Sequence, residues 1–109
     1  HNSTSPAHLK ESHYRGYEIF RSRQPDTPVI MASKVDHYPQ EEMAEARKRI
    51  ITESYEKGIA NGDKNLYFID GKTIFGENHA DASSDGCHPN DYGYILMANA
   101  FGKIIEKLL

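Results

Sequence analysis

The sequence has a single cysteine, Cys87, among its 109 residues. One thiol excludes an internal disulfide framework and a four-cysteine zinc knuckle, and it leaves the redox compartment open. Long apolar runs are missing too. No stretch approaches the roughly 20 apolar residues that a membrane-spanning helix needs, and no apolar signal-peptide core lies near the first residue. Positive charge is not in excess: the net charge is -3 and the pI lies near 6.1, so there is no basic footprint for nucleic acid or anionic lipid. Internal repeats and low-complexity tracts are absent as well. What remains is 38% apolar and 27% charged, the balance of one ordinary globular domain. The chain opens His1-Asn2-Ser3 without an initiator methionine, which raises the expectation of a piece of something longer.

Hydrophobic periodicity places the elements. Ser5-Pro6 reads as an N-cap with proline at the first helical position, and Leu9, His13, Gly16, Tyr17 and Phe20 follow at helical spacing, predicting a helix over 6–23. After the turn at Gln24–Pro28, Val29–Ser33 has the length and β-branched character of a buried strand. Pro39 opens a second periodic segment with Met43, Ala46, Ile50, Ile51, Tyr55 and Ile59, closed by Asn61-Gly62, which predicts a helix over 40–60. Leu66–Asp70 reads as a second strand. The chain then runs without regular pattern to Asn90, and Tyr94, Met97, Ala98, Phe101, Ile104, Ile105 and Leu108 trace a terminal helix from Asp91.

This alternation implies an α/β fold with parallel strands. Two strands are few for a parallel sheet, which is normally several strands wide and covered on both faces. The expectation is therefore the C-terminal part of a larger α/β domain, whose partner is the N-terminal half of the same domain. A small domain completed by self-association is the alternative.

Ligands of open α/β sheets bind beyond the carboxyl ends of the strands, where two loops are expected here. One, from Ser33 to Tyr38, carries Lys34, Asp36 and His37. The other, from Asp70 to Asn90, is long for a compact domain and holds Glu77, His79, Asp81, Asp85, Cys87 and His88. Within it, Asp85 precedes His88 by three residues. A carboxylate so placed can bond one ring nitrogen and fix the tautomer, while the other nitrogen takes a proton from a nucleophile. Gly86 lets the backbone turn, Pro89 biases His88 toward extended geometry, and Asn90 or Asp91 can cap the helix that follows. A mixed zinc site from His79, Asp81, Asp85, Cys87 and His88 is a rival reading. His8 and His13 read as core or surface histidines, and Cys87 as a packing residue.

The segment Asp85-Gly86-Cys87-His88-Pro89-Asn90, followed by a tyrosine- and glycine-containing helix start, resembles the C-terminal Asp-x-x-His-Pro block of the SGNH, or GDSL-type, ester hydrolases. Leu66–Gly71 and Ile74–Gly76 resemble the strand and loop leading into that block in bacterial members that act on acylated carbohydrates. The resemblance implies a flavodoxin-like three-layer α/β/α domain with a parallel sheet, of which this chain is the C-terminal portion. It implies that His88 and Asp85 are catalytic, that Asn2 contributes to the oxyanion hole, that no cofactor or metal is used, and that the substrate is a small acyl ester. The family's Gly-Asp-Ser nucleophile block is not in the chain, and Ser33 lacks the flanking glycines of a nucleophile elbow. The serine is therefore expected upstream, and this chain alone is expected to be inactive. A noncatalytic α/β module that binds a ligand or partner through the same loop remains the alternative.

Overall fold

The computed structural model describes residues 3–35 and 40–109. Asn2, Asp36, His37, Tyr38 and Pro39, on which some of the expectations above rest, lie outside the described residues. Helix α1 spans Pro6–Arg23, strand β1 Val29–Ala32, helix α2 Glu41–Ala60 and strand β2 Leu66–Ile69. Three short turns of helix follow: α3 over Gly71–Phe75, a 3₁₀ turn over Gly76–Asn78, and α4 over His79–Ala82. Helix α5, Asp91–Leu108, ends the order. Each start has a local cause. Ser5 is extended and its hydroxyl accepts the His8 N–H at 3.1 Å, while Pro6 occupies a position whose N–H has no helical partner. Glu41 and Glu42 sit in the first turn of α2, where the helix dipole favours negative charge. After α2, Gly62 takes φ 91°, a backbone region open to glycine, and the chain reverses into β2.

The strands pair in parallel, Val29 with Leu66, Ile30 with Tyr67, Met31 with Phe68 and Ala32 with Ile69, joined by α2 as the crossover. On one face Met31 and Leu66 form a buried cluster with Ile51 of α2, and Leu9, Tyr17, Val29, Tyr55 and Phe68 pack around it. Each such side chain removed from water contributes about 1.5–3 kcal/mol. By alternation Ile30, Ala32, Tyr67 and Ile69 face the other way. Helix α5 touches β2 without joining the first cluster, and Phe75 and Ala82 are buried near its start. Among the described residues no helix is long and apolar enough to cross a membrane.

The irregular loop expected between Asp70 and Asn90 is a correction: half of it is helical. The Asp70 carboxylate caps α3 by accepting the Lys72 N–H at 3.0 Å, and it also meets Lys48 of α2 at 2.7 Å. Pieces of four or five residues are too short to show a hydrophobic period, so the sequence pattern misses them. The chain leaving β2 crosses closely over the chain leaving β1. A Cβ on Gly71 would lie 2.2 Å from the Ser33 carbonyl oxygen and 2.3 Å from that of Lys34. The buried Ser33 hydroxyl accepts the Gly71 N–H at 2.8 Å, which gives this serine a structural task.

At the opposite end of the strands, Asp63 ties α1 to the turn before β2. It accepts from the Tyr17 hydroxyl, from Arg21 Nε at 3.0 Å and, through its other oxygen, from the Asn65 N–H at 2.9 Å. Burial by itself would raise the Asp63 carboxyl, but these donors and the Arg21 charge together outweigh it and hold the group below its ordinary value.

Two outcomes follow for stability. Asp63→Ala strands a mostly buried Arg21 and should cost about 2–4 kcal/mol in chemical denaturation. Because the folded carboxyl is depressed, the Asp63 contribution is present above the unfolded value of ~3.9 and disappears as pH falls through the folded value. Gly71→Ala should cost about 3 kcal/mol or more, the upper end for overpacking, because the atoms its methyl meets are backbone. A melt indistinguishable from the unsubstituted protein would contradict either expectation.

Candidate active site

The segment Ser83–Asn90 is organised around one carboxylate. Asp85 Oδ1 accepts the Cys87 N–H at 2.8 Å, the His88 N–H at 2.7 Å and the Ser83 hydroxyl at 3.2 Å. Its second oxygen, Oδ2, meets His88 Nδ1 at 2.6 Å. Gly86 makes the turn possible at φ 71°, and its N–H donates to Ser83 Oγ at 3.1 Å. An antiparallel bridge between Ser83 and Pro89 closes the loop at its base.

Asn90 fastens that base to two helices. Its backbone N–H donates to the Ala82 carbonyl at 2.9 Å, and its side-chain amide donates to the Asp81 carbonyl at 2.6 Å. Its Oδ1 accepts the Gly93 N–H at 3.0 Å and so caps α5. Gly93 permits close seating, since a Cβ there would lie 2.4 Å from the Ala82 carbonyl oxygen and 2.9 Å from Pro89 Cβ. The position of His88 is thereby set by the packing of a whole helix rather than by the loop alone.

Electrostatics follow from the same contacts. The His88 backbone N–H, then the His88 ring, then the Cys87 N–H stabilise the Asp85 carboxylate and hold it well below the usual carboxylate range. It is therefore ionised at any ordinary working pH. An ionised carboxylate only accepts, so Nδ1 must carry a proton, and in the neutral ring Nε2 then bears the lone pair. The imidazole side chain is 73% exposed, so a reactant can reach it. An imidazole held this way can take a proton at Nε2 while Asp85 stabilises the resulting charge.

Asp85 and His88 are thus brought together, while Asn2 lies outside the described residues. Its neighbour Ser3 is held by Arg47 of α2. A pocket of about 200 Å³ lies beside the loop, with Lys34, Arg47 and Cys87 among its walls. Cys87 is half-buried and unbridged. Among the described residues no group of three or more His, Cys, Asp or Glu could hold a metal ion, so the mixed set from His79 to His88 does not converge. His13 is half-buried between α1 and α2, its Nδ1 2.9 Å from the buried Ser54 hydroxyl, and burial pushes its ring below the ordinary value. That is the structural role expected of it. Sequence reasoning missed Ser83 and the bonds that Asn90 makes back to α4. A serine two residues before an aspartate was the one available cue for Ser83.

The chain matches the GDSL-like lipase/acylhydrolase family over residues 2–106. No curated protein matches it. Of solved structures, a GDSL-like lipase from Bacteroides ovatus ATCC 8483 superposes with a TM-score of 0.79 at 28% identity, over 94% of this chain and 32% of that one. A salicylyl-acyltransferase from a tetracycline biosynthetic pathway shares the fold, with a TM-score of 0.72 at 20% identity, over 94% of this chain and 33% of the other. This chain therefore spans about a third of the length of the solved structures it resembles. The parallel α/β fold and a family match running from Asn2 to the last helix agree: the chain belongs to the GDSL-like lipase/acylhydrolase family.

Proposed function

We propose that this chain carries the base and its orienting acid for a serine ester hydrolase whose nucleophile lies upstream of His1, in the front part of the same domain. The observation that carries the reading is the 2.6 Å contact between Asp85 and His88 Nδ1, on a loop beyond the carboxyl end of β2. Two further observations support a domain that extends beyond these residues. Among the described residues β1 pairs with β2 alone, and its outer edge lines an open groove of about 490 Å³ that Phe20 and Tyr17 also wall. Helix α5 exposes Tyr94 and Ile95, which are 59% and 57% accessible.

In this reading the serine Oγ attacks the ester carbonyl as His88 Nε2 removes its proton. Asp85 stabilises the imidazolium, and the Asn2 side-chain amide donates to the oxyanion. The tetrahedral intermediate collapses, the alkoxide leaves with the proton from His88, and the acyl group stays on the serine. Water, deprotonated by His88, then releases the acid. These steps use only side chains and water, on a small acyl ester.

With 4-nitrophenyl acetate as substrate and the longer, serine-containing protein as enzyme, His88→Ala should lower kcat/KM by ~10³-fold or more. An active His88→Ala enzyme sinks the assignment. Asp85→Asn should leave the melt nearly unchanged, because the amide oxygen can still accept the two backbone N–H groups. Its activity should nevertheless fall by ~10²–10⁴-fold, because the amide nitrogen donates to Nδ1 and puts the ring proton on Nε2. The present chain by itself should turn over no ester.

A further inference from the structure

Ser83 follows α4 directly and is buried, with 6% of its surface exposed, whereas the side chains of Asp85 and His88 are half or more exposed. The reacting pair thus stands out from the surface on a loop whose base is packed. That base is held from both sides. Ser83 bridges to Pro89, the buried Ala82 beside it accepts the Asn90 N–H at 2.9 Å, and Asn90 caps α5.

The Ser83 hydroxyl reaches from the base into the turn. Its O–H donates to Asp85 Oδ1 at 3.2 Å, since an ionised carboxylate only accepts, and its oxygen accepts the Gly86 N–H at 3.1 Å. Both of its polar functions therefore fall on the two residues where the chain reverses, with Gly86 at φ 71°. The Cys87 and His88 amides also donate to Oδ1, but they belong to the stretch that carries the ring and would move with it. Those bonds keep the pair together without setting its tilt against the helices below. The Ser83 bond can set it, because the Ser83 backbone is fixed in the base.

We infer that Ser83 is a positioning residue: its buried hydroxyl holds the Asp85–His88 pair, as a unit, at the angle from which Nε2 meets the nucleophile. This rests on the proposed hydrolase reading and adds to it a residue that touches no reacting atom. General-base catalysis needs Nε2 within hydrogen-bond reach of the nucleophile's proton. A misplaced base therefore slows the chemical step and leaves substrate binding largely alone.

The test uses the longer, serine-containing protein with 4-nitrophenyl acetate. Ser83→Ala should lower kcat by ~10–100-fold with KM within about twofold. In that variant the neutral His88 ring should keep its proton on Nδ1, read by long-range proton–nitrogen NMR, because the contact with Asp85 is internal to the loop. A loop that had simply collapsed would not combine a lowered kcat with an intact tautomer. In the His88→Ala background, Ser83→Ala should add no more than about a twofold loss to the residual activity, because no imidazole is left to position. Ser83→Cys, a weaker donor and acceptor, should fall between the parent and Ser83→Ala. Additive losses, an unchanged kcat, an effect confined to KM or a ring proton moved to Nε2 would each overturn the inference. If Ser83→Ala does not fold, Ser83→Cys is judged by the same criteria; if neither folds, the role is structural and the inference falls. An inactive parent or a fully active His88→Ala enzyme overturns the hydrolase reading and this inference with it. An active parent and a crippled His88→Ala variant, with Ser83 variants that fail these criteria, overturn the inference alone.

Discussion

The Asp85 carboxylate is the contact on which the site depends. One oxygen gathers the Cys87 and His88 amides and the Ser83 hydroxyl, and the other meets His88 Nδ1. The group that shapes the loop therefore also selects the tautomer of the imidazole. Half of this side chain is exposed, so its effect is one of geometry more than of buried energy. Charge-assisted bonds to amides are short and directional, which suits them to holding a ring that must not rotate.

The rest of the fold delivers that carboxylate to the right end of the sheet. Gly71 lets the chain leaving β2 pass against the carbonyls of Ser33 and Lys34, and Gly93 lets α5 seat against Ala82 and Pro89. Between them, Asn90 joins α4 to α5. The loop is thus built between two close backbone approaches, each of which would be disturbed by a single methyl group. At the far end, Asp63, Tyr17 and Arg21 perform a different task, holding α1 to the strand pair without contact with the site.

Much of this was legible in the residues. Helix α1 begins at the Ser5-Pro6 cap, the strands fall on Val29–Ala32 and Leu66–Ile69, and α5 follows its apolar stripe. These elements are periodic, or bounded by residues with one local meaning. The Asp85–His88 pairing was also readable, because Gly86 lets the backbone turn between them and Pro89 and the helix start behind it stiffen the histidine. What was not readable depends on distance along the chain or on pieces too short for a period. Asp63 lies 46 residues from Tyr17, Arg47 lies 44 from Ser3, and α3 and α4 are five and four residues long. No window along the sequence connects such partners; only the packed α1, α2 and β2 do.

The site requires Asp85 to fix the proton of His88 at Nδ1, and long-range proton–nitrogen NMR of the His88 ring reads that directly at a pH where the ring is neutral. The expected spectrum has a protonated Nδ1 and an unprotonated Nε2, and it changes to the opposite tautomer in Asp85→Asn. A His88 ring protonated at Nε2, and indifferent to Asp85→Asn, would contradict that role of Asp85.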